Sequence, residues 1–318
     1  MDITKRRQVF KPFEYPEAAD YWLKQNQAHW LHSEISMASD IADWKGKLND
    51  VERSIIGNTL KGFIQAEIVI GDYWTRRVQK YFPKPEICMM ASSFGAMEQI
   101  HTQAYAYLNE SLGLEDYDAF LYDESAKAKL NNFIETPNKT KKDTALSLAT
   151  FSGFAEGVSL FSSFCILLSF ATRNLMKGLG QIIAFSQKDE DLHSTGGCWL
   201  FRTFMKENPE LLKEVQEDVY EAARTVVKLE DDFIDMVFEL GSLPLVTPDL
   251  LKNYIRMRAN VKLQELGLRR NWRNIDAGML KDMDWFINLG SGVEHADFFA
   301  TRVTTYAKGT MNWERIWG

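Results

Sequence analysis

The stretch Glu98-Gln-Ile-His101 has a counterpart of the same form, Glu190-Asp-Leu-His193, in the second half of the chain. Residues three positions apart lie on one face of an α-helix, so each E-x-x-H stretch directs a carboxylate and an imidazole to the same side. No proline lies near either stretch, so a helix interior is permitted at both places. The two stretches therefore predict a pair of helices that each present metal-binding side chains.

A further glutamate precedes each stretch at a similar distance, within an apolar segment. Glu67 occurs in KGFIQAEIVIGDYW, residues 61–74, and Glu156 occurs in TFSGFAEGVSLF, residues 150–161. One glutamate from each of two helices and an E-x-x-H stretch from each of two others form the ligand set of a dinuclear carboxylate site in a four-helix bundle. The predicted ligands are Glu67, Glu98, His101, Glu156, Glu190 and His193.

The chemistry of these six side chains favours manganese or iron. They offer oxygen and neutral nitrogen atoms without a thiolate, and four ionised glutamates would balance the charge of two divalent ions, which makes their burial tolerable. Neither stretch has the H-E-x-x-H form of zinc hydrolases. A single E-x-x-H is common on a solvated helix surface, where it forms at most a salt bridge. Two of them, each preceded by a glutamate in an apolar segment, favour a metal site.

The remaining sequence is helical by periodicity. Eight prolines leave long uninterrupted spans, and neither an alternating strand pattern nor a low-complexity linker occurs. We predict a first helix that ends near Trp30, a connecting stretch through Trp44, and two long helices over residues 51–82 and 144–174. The second long helix is apolar nearly all round, as in the centre of a bundle. The expected architecture is one all-α domain, residues 1–318, with an irregular N-terminal segment (about 1–15).

Composition argues against several kinds of partner. The formal net charge is -7, with Lys and Arg scattered among acidic residues, so we expect no nucleic-acid partner. No apolar run of about 18 residues and no signal-peptide pattern is present, so we expect a cytoplasmic protein without a membrane span. Three widely separated cysteines, Cys88, Cys165 and Cys198, fit a reducing compartment.

On these residues the chain resembles the small (beta, R2) subunit of class I ribonucleotide reductase, from Trp30 to about Tyr306. In that family one Asp or Glu, then E-x-x-H, then Glu, then D-E-x-x-H supply the metal ligands, and every position has its match here. The resemblance implies a ferritin-like bundle with the dinuclear site in a four-helix core. It also implies a homodimer that forms a one-electron oxidant for a separate large (alpha) subunit. In that subunit ribonucleoside diphosphates become deoxyribonucleotides.

The resemblance assigns further roles outside the ligand set. The family couples its metals to the surface through a Trp, an Asp and a metal-bound His, which match Trp30, Asp189 and His101. It also passes the oxidising equivalent to the large subunit through a tail tyrosine. We expect a docking tail at about 307–318, whose only aromatic residues are Trp313 and Trp317, so its relay residue stays unassigned. A flavoprotein activase is a further partner that the resemblance implies for some subclasses.

Tyr105 lies one helical turn after His101, where similar reductases carry the tyrosine that becomes a stable radical. The first ligand here is Glu67, whereas the di-iron tyrosyl-radical forms have Asp. A glutamate resembles the dimanganese (class Id) or Mn/Fe (class Ic) forms, which store the oxidising equivalent on the metals. Ser186 also places a hydroxyl where an apolar lining would better shelter a radical. We expect two manganese ions, with Mn/Fe and Fe/Fe as alternatives, and Tyr105 as a bystander.

Two other functions have some support in the sequence. The R2-like ligand-binding Mn/Fe oxidases also have a glutamate as first ligand, and Val69 matches the valine that they cross-link. Their partner tyrosine corresponds to Phe151 here, so that cross-link cannot form. A non-catalytic metal-storage bundle is the second alternative, but it would have no need of Trp30 or Asp189.

Overall fold

Helices account for all the regular secondary structure in the described part of the chain. The computed structural model describes residues 2–60, 63–118, 122–134 and 140–290, and these residues contain no β-strand. The α-helices are α1 (Pro16–Gln27), α2 (Ala38–Gly46), α3 (Asp50–Leu60), α4 (Phe63–Asp72), α5 (Gln79–Tyr81), α6 (Pro85–Leu112), α7 (Glu124–Ile134), α8 (Lys141–Leu148), α9 (Phe161–Thr172), α10 (Lys177–Glu207), α11 (Pro209–Val237), α12 (Pro248–Glu265), α13 (Ala277–Lys281) and α14 (Asp284–Gly290). The all-α prediction is confirmed.

Two π-helical segments and one 3-10 turn complete the helical structure. The first π segment (Tyr73–Val78) joins α4 to α5, and the second π segment (Ala149–Ser159) joins α8 to α9. The 3-10 turn (His32–Glu34) lies between α1 and α2. The centre of the bundle is enclosed by α4, α6, the second π segment and α10. Each of these four elements contacts two of the others around the ring, and α11 and α12 cover the outer side of the second π segment.

Local signals set the ends of the helix that carries the first E-x-x-H stretch. Pro85 lies in the first turn of α6, where its missing N–H is not needed. Gly113 ends the helix with φ 73, a left-handed conformation that glycine adopts without the steric cost of a Cβ. Gly113 therefore supplies the C-terminal stop of α6.

The most apolar part of the chain lies in the interior. Lys141–Thr172 is long and apolar enough to cross a membrane by composition, but 94% of its most apolar window is buried inside the protein. A helix that is hydrophobic on all sides needs such complete covering. The expectation of a central, fully surrounded element is thus confirmed for this segment.

The two long helices that the sequence predicted are not continuous α-helices. Each contains a π segment, and the wide turn leaves carbonyl groups that partners outside the helix must satisfy. In the second π segment, Ser152 O accepts a hydrogen bond from Ser194 Oγ (2.5 Å) and Gly157 O accepts one from Arg258 Nε (2.6 Å). Lys129 Nζ donates to Ser159 O (2.9 Å). These partners lie far away in sequence, so periodicity along the chain does not reveal them.

Smaller differences concern the N-terminal third. Helix α1 ends at Gln27 and not near Trp30, and the predicted connecting stretch contains α2. Residues 2–15 form no α-helix, as expected. The predicted tail at 307–318 lies outside the described residues.

Candidate metal centre

The six predicted ligands come together in the centre of the bundle, and all six are fully buried. They form two overlapping sets, in each of which one candidate ligand atom per residue lies within 4.8 Å of the others. Both sets contain Glu98 and Glu190. The first set also contains Glu67 and His101, and the second also contains Glu156 and His193. Two adjacent cation positions that share two carboxylates would have this arrangement.

The shared glutamates direct one oxygen to each imidazole. Glu98 Oε2 lies 3.2 Å from His101 Nδ1, and Glu98 Oε1 lies 2.6 Å from His193 Nδ1. Glu190 Oε1 lies 3.1 Å from His101 Nδ1, and its Oε2 lies 4.0 Å from His193 Nδ1.

The other two glutamates each approach one imidazole. Glu67 Oε2 is 3.6 Å from His101 Nδ1, and Glu156 Oε1 is 3.9 Å from His193 Nδ1. The geometry therefore distinguishes two carboxylates that lie near both imidazoles from two that each lie near one.

The polar atoms of the cluster lack the partners that buried groups normally have. Both oxygens of Glu67 and of Glu190, one of Glu98, one of Glu156, and His193 Nδ1 have no hydrogen bond within the described structure. His193 Nδ1 and Glu98 Oε1 are close, but they are not aligned as donor and acceptor. Unpartnered buried carboxylates are costly. Two divalent cations would satisfy these converging lone pairs, so the residues fit a dinuclear site.

The pKa values of the cluster side chains also indicate that the site favours bound positive charge. Burial, and then repulsion from neighbouring carboxylates, raises the pKa of Glu67 and Glu156 well above the ordinary value and that of Glu190 to about 7. Burial alone would lower the pKa of His101 and His193. The hydrogen bond with Asp189 outweighs burial at His101, the charge of Glu98 outweighs it at His193, and both pKa values are raised. Without cations, the cluster holds protons in their place.

A hydrogen-bonded chain leads from His101 away from the cluster. His101 Nε2 lies 3.1 Å from Asp189 Oδ2, and Trp30 Nε1 donates to the same oxygen at 2.8 Å. The Trp30 ring stacks at 5.9 Å from the His101 ring, and the Trp30 side chain is largely buried. The structure thus brings together the three residues to which the resemblance assigned a relay.

Two residues that sequence reasoning missed, Gln25 and Trp74, support the opposite side of the cluster. Gln25 Nε2 donates to Asp189 Oδ1, and Gln25 Oε1 lies 2.9 Å from His193 Nε2. Trp74 Nε1 donates to Glu156 Oε1. Trp74 lies two helical turns after Glu67, a spacing that could have placed it near the cluster. An isolated glutamine in an amphipathic helix gives no comparable signal.

Tyr105 is fully buried, with its ring 6.2 Å from that of His101 and 4.9 Å from that of Phe63. Burial, and then the charge of Glu67, raises its pKa well above the ordinary value, so the phenol is neutral. The Ser186 hydroxyl interacts with the phenol and opposes this shift. Tyr105 therefore lies beside the cluster as a buried, neutral phenol.

The fold and the cluster define a class of protein: ferritin-like helical bundles whose core presents paired carboxylates and imidazoles to two cations. Comparison with known proteins makes the assignment specific. The family model described as "Ribonucleotide reductase, small chain" matches residues 7–276. The chain belongs to this family and is the small subunit of a ribonucleoside-diphosphate reductase. The oxidase and storage alternatives are not favoured.

Curated relatives cover nearly the whole chain. The probable ribonucleoside-diphosphate reductase small subunit 376L of Invertebrate iridescent virus 6 is 34% identical, over 100% of this chain and 99% of the relative. The ribonucleoside-diphosphate reductase subunit beta of Chlamydia pneumoniae is 29% identical, over 95% of this chain and 91% of the relative.

Solved structures share the fold at lower identity. The ribonucleotide reductase R2 subunit from Clostridium botulinum aligns with a TM-score of 0.77 and 20% identity, covering 87% of this chain and 89% of that one. The dimanganese(II)-NrdF of Streptococcus sanguinis aligns with a TM-score of 0.75 and 18% identity, covering 88% and 100%.

Proposed function

We propose that this small subunit binds two metal ions through the six buried side chains and forms with them the one-electron oxidant that the large subunit uses. The observation that carries the proposal is the set of buried, unpartnered ligand atoms, which two adjacent positions share through Glu98 and Glu190. The bound metals would supply the redox chemistry. The protein would supply the geometry, exclude water and connect the centre to the surface.

Asp189 has the central part in that connection. Its carboxylate can only accept hydrogen bonds, so the proton on His101 lies at Nε2 and leaves Nδ1 free to face the cluster. The same Oδ2 accepts the Trp30 Nε1–H. If Trp30 loses an electron, its acidic proton can remain hydrogen-bonded to Asp189. We therefore assign Trp30, Asp189 and His101 as the route between the metals and the large subunit.

We further propose manganese at both positions, with Mn/Fe and Fe/Fe as the alternatives, and Tyr105 as a bystander. A glutamate as first ligand and the Ser186 hydroxyl beside Tyr105 support this proposal. The metals of the Streptococcus sanguinis protein are not carried over, because 18% identity indicates the fold alone.

The test is to load the protein separately with Mn, with Fe and with both, activate each form with dioxygen or superoxide, and assay it with the large subunit. We expect activity to follow a manganese EPR signal and to persist in Tyr105→Phe. A tyrosyl signal that disappears together with activity in Tyr105→Phe would overturn the proposal for Tyr105. Failure of every loading to give two bound metals would overturn the dinuclear site.

The proposed assembly is a homodimer in the cytoplasm that docks on the large subunit, through a tail at about 307–318 that lies outside the described residues. Each chain would form a single helical domain. A flavoprotein activase is proposed only for the case in which superoxide, and not dioxygen, activates the metals.

A further inference from the structure

Helix α1 contributes no ligand to the cluster, yet it sends one polar side chain into the interior. It packs against α6 and α10, which carry both E-x-x-H stretches. Of its residues only Ala18 and Gln25 are buried, and Gln25 is 2% exposed. A buried amide is costly unless both of its ends are hydrogen-bonded. The partners of Gln25 therefore decide what it does.

The orientation of the Gln25 amide follows from its neighbours. Asp189 Oδ1 lies 2.9 Å from Gln25 Nε2, and an ionised carboxylate only accepts hydrogen bonds. The amide nitrogen must face Asp189, so the amide oxygen must face His193 Nε2, 2.9 Å away. An oxygen can only accept there, so His193 carries its proton on Nε2. Its Nδ1 is then the lone pair that points at the cluster.

We propose that Gln25 is a positioning residue for the second metal position, the one formed by Glu156 and His193. Asp189 orients His101 directly and orients His193 through Gln25, so that one carboxylate sets the tautomer and the ring orientation of both imidazoles. The Trp30 indole bonds to the same carboxylate. Both halves of the metal centre thus connect to one relay. The inference rests on the proposed dinuclear site, and it assigns a role to a residue outside the ligand set.

The test compares Gln25→Met with a matched control, Gln27→Met. Methionine keeps the length of the side chain and removes both hydrogen-bonding groups. Gln27→Met makes the same chemical change on the exposed side of the same helix. Metal-free forms are first compared by circular dichroism and thermal unfolding. Mn(II) is then titrated, with unbound Mn(II) measured by EPR, and the occupancy of each position is read from anomalous diffraction.

We expect wild type and Gln27→Met to bind two ions. In Gln25→Met one ion should bind as in wild type and the other about 10- to 100-fold more weakly, the usual cost of losing a partner of a ligating histidine. The weak position should be the one beside His193, and at limiting metal the EPR spectrum should change from a coupled pair to isolated Mn(II).

Two results would overturn the inference. One is binding of both ions by Gln25→Met within about threefold of wild type, a smaller change than loss of such a partner usually causes. The other is equal weakening at both positions, which would make Gln25 a general support of the fold. If wild type itself failed to bind two ions, the dinuclear site would be wrong and not the role of Gln25.

Discussion

At the scale of single residues, Asp189 accepts more functional hydrogen bonds than any other side chain discussed above. Its two oxygens receive Trp30, Gln25 and the imidazole of His101. Trp30 Nε1 and Gln25 Nε2 can only donate, so Asp189 serves them as an acceptor. The residue is useful to the centre because it is acidic and almost fully buried.

Replacing Asp189 with asparagine should lower reductase activity about 10- to 100-fold. An asparagine has one acceptor oxygen, so its amide group must oppose at least one of the three donors. The measurement is activity with the large subunit, normalised to bound metal. Asp20→Asn, an exposed change on α1, is the control and should keep wild-type activity. Activity of Asp189→Asn within about twofold of wild type would contradict the proposed route, given the usual cost of such a change.

Metal binding should strengthen as the pH rises toward neutrality. Below its pKa of about 7, Glu190 in the metal-free protein holds a proton that a cation must displace, and Glu67 and Glu156 also have raised pKa values. Mn(II) titrations between about pH 5.5 and about pH 8 should therefore show an affinity that increases with pH, most steeply near 7. An affinity independent of pH across this interval would show that the ligands are already ionised without metal.

The same pKa shifts act on the stability of the metal-free protein. A carboxyl group whose pKa is higher in the folded state than in the unfolded state stabilises the fold most below its unfolded value. That contribution is lost as the pH rises through the folded value. For Glu190 the interval runs from its ordinary 4.5 to about 7. The metal-free protein should thus lose part of its stability over this interval, and bound cations should remove the loss.

The candidate ligands could be proposed from the sequence because E-x-x-H spacing has a direct geometric meaning on a helix. The structure gathers Glu67, Glu98 and Glu156 as the pattern required. Trp74 could have been placed near the cluster by its spacing from Glu67. Gln25 could not be found in this way, since its partners belong to another element and no short-range spacing identifies it. The sequence shows which potential ligands share one face of a helix. It does not show which side chains of different helices form hydrogen bonds with each other.

At the scale of elements, the second π segment depends on close approach to α10. Gly197 on α10 faces this segment, and a Cβ there would lie 2.2 Å from Ser152 Cβ and 1.9 Å from Ser152 Oγ. Gly157 in the segment is also crowded, because a Cβ on it would lie 2.6 Å from Ser194 Oγ. Since this segment carries Glu156, its distance from α10 controls one half of the metal centre.

Gly197→Ala should therefore destabilise the protein by about 1–3 kcal/mol, the usual cost of overpacking. It should also weaken Mn(II) binding at the position beside Glu156. Urea unfolding and metal stoichiometry measure the two effects. Gly46→Ala is the control, because a Cβ there meets nothing within 4 Å. A Gly197→Ala protein with wild-type stability would show that α10 and the π segment can move apart freely.

The all-α class followed from proline positions and apolar periodicity, but α2 and the π segments did not. A π turn inserts extra residues without changing composition, so residues 144–174 have the pattern of one uniform helix. The stability of the π segment comes from Ser194, Arg258 and Lys129, which bond its free carbonyls from other helices. Local sequence therefore determines that a helix forms here, whereas contacts with other helices determine whether it is an α-helix or a π-helix.

At the scale of the whole molecule, the candidate metal centre takes its side chains from four elements: α4, α6, the second π segment and α10. A ligand that binds only the folded state stabilises it by about 2.7 kcal/mol per site at 100 times its Kd. Mn(II) at that excess should raise the free energy of unfolding accordingly, as measured by urea denaturation. Glu98→Gln should lose more of this gain than Glu67→Gln, because Glu98 belongs to both sets of ligands. Equal losses would contradict its shared role.

The buried helical segment Lys141–Thr172 also has a consequence for biosynthesis. Most of its contacts are with α10, α11 and α12, which follow it in the chain, and fewer are with α3, α4 and α7, which precede it. While the ribosome extends the polypeptide, this apolar segment emerges before most of its partners exist, and exposed apolar surface of this kind favours aggregation. The nascent chain therefore passes through a vulnerable interval that ends only when α12 has been synthesised. Its yield in a cell should depend on chaperones that shield the segment until then.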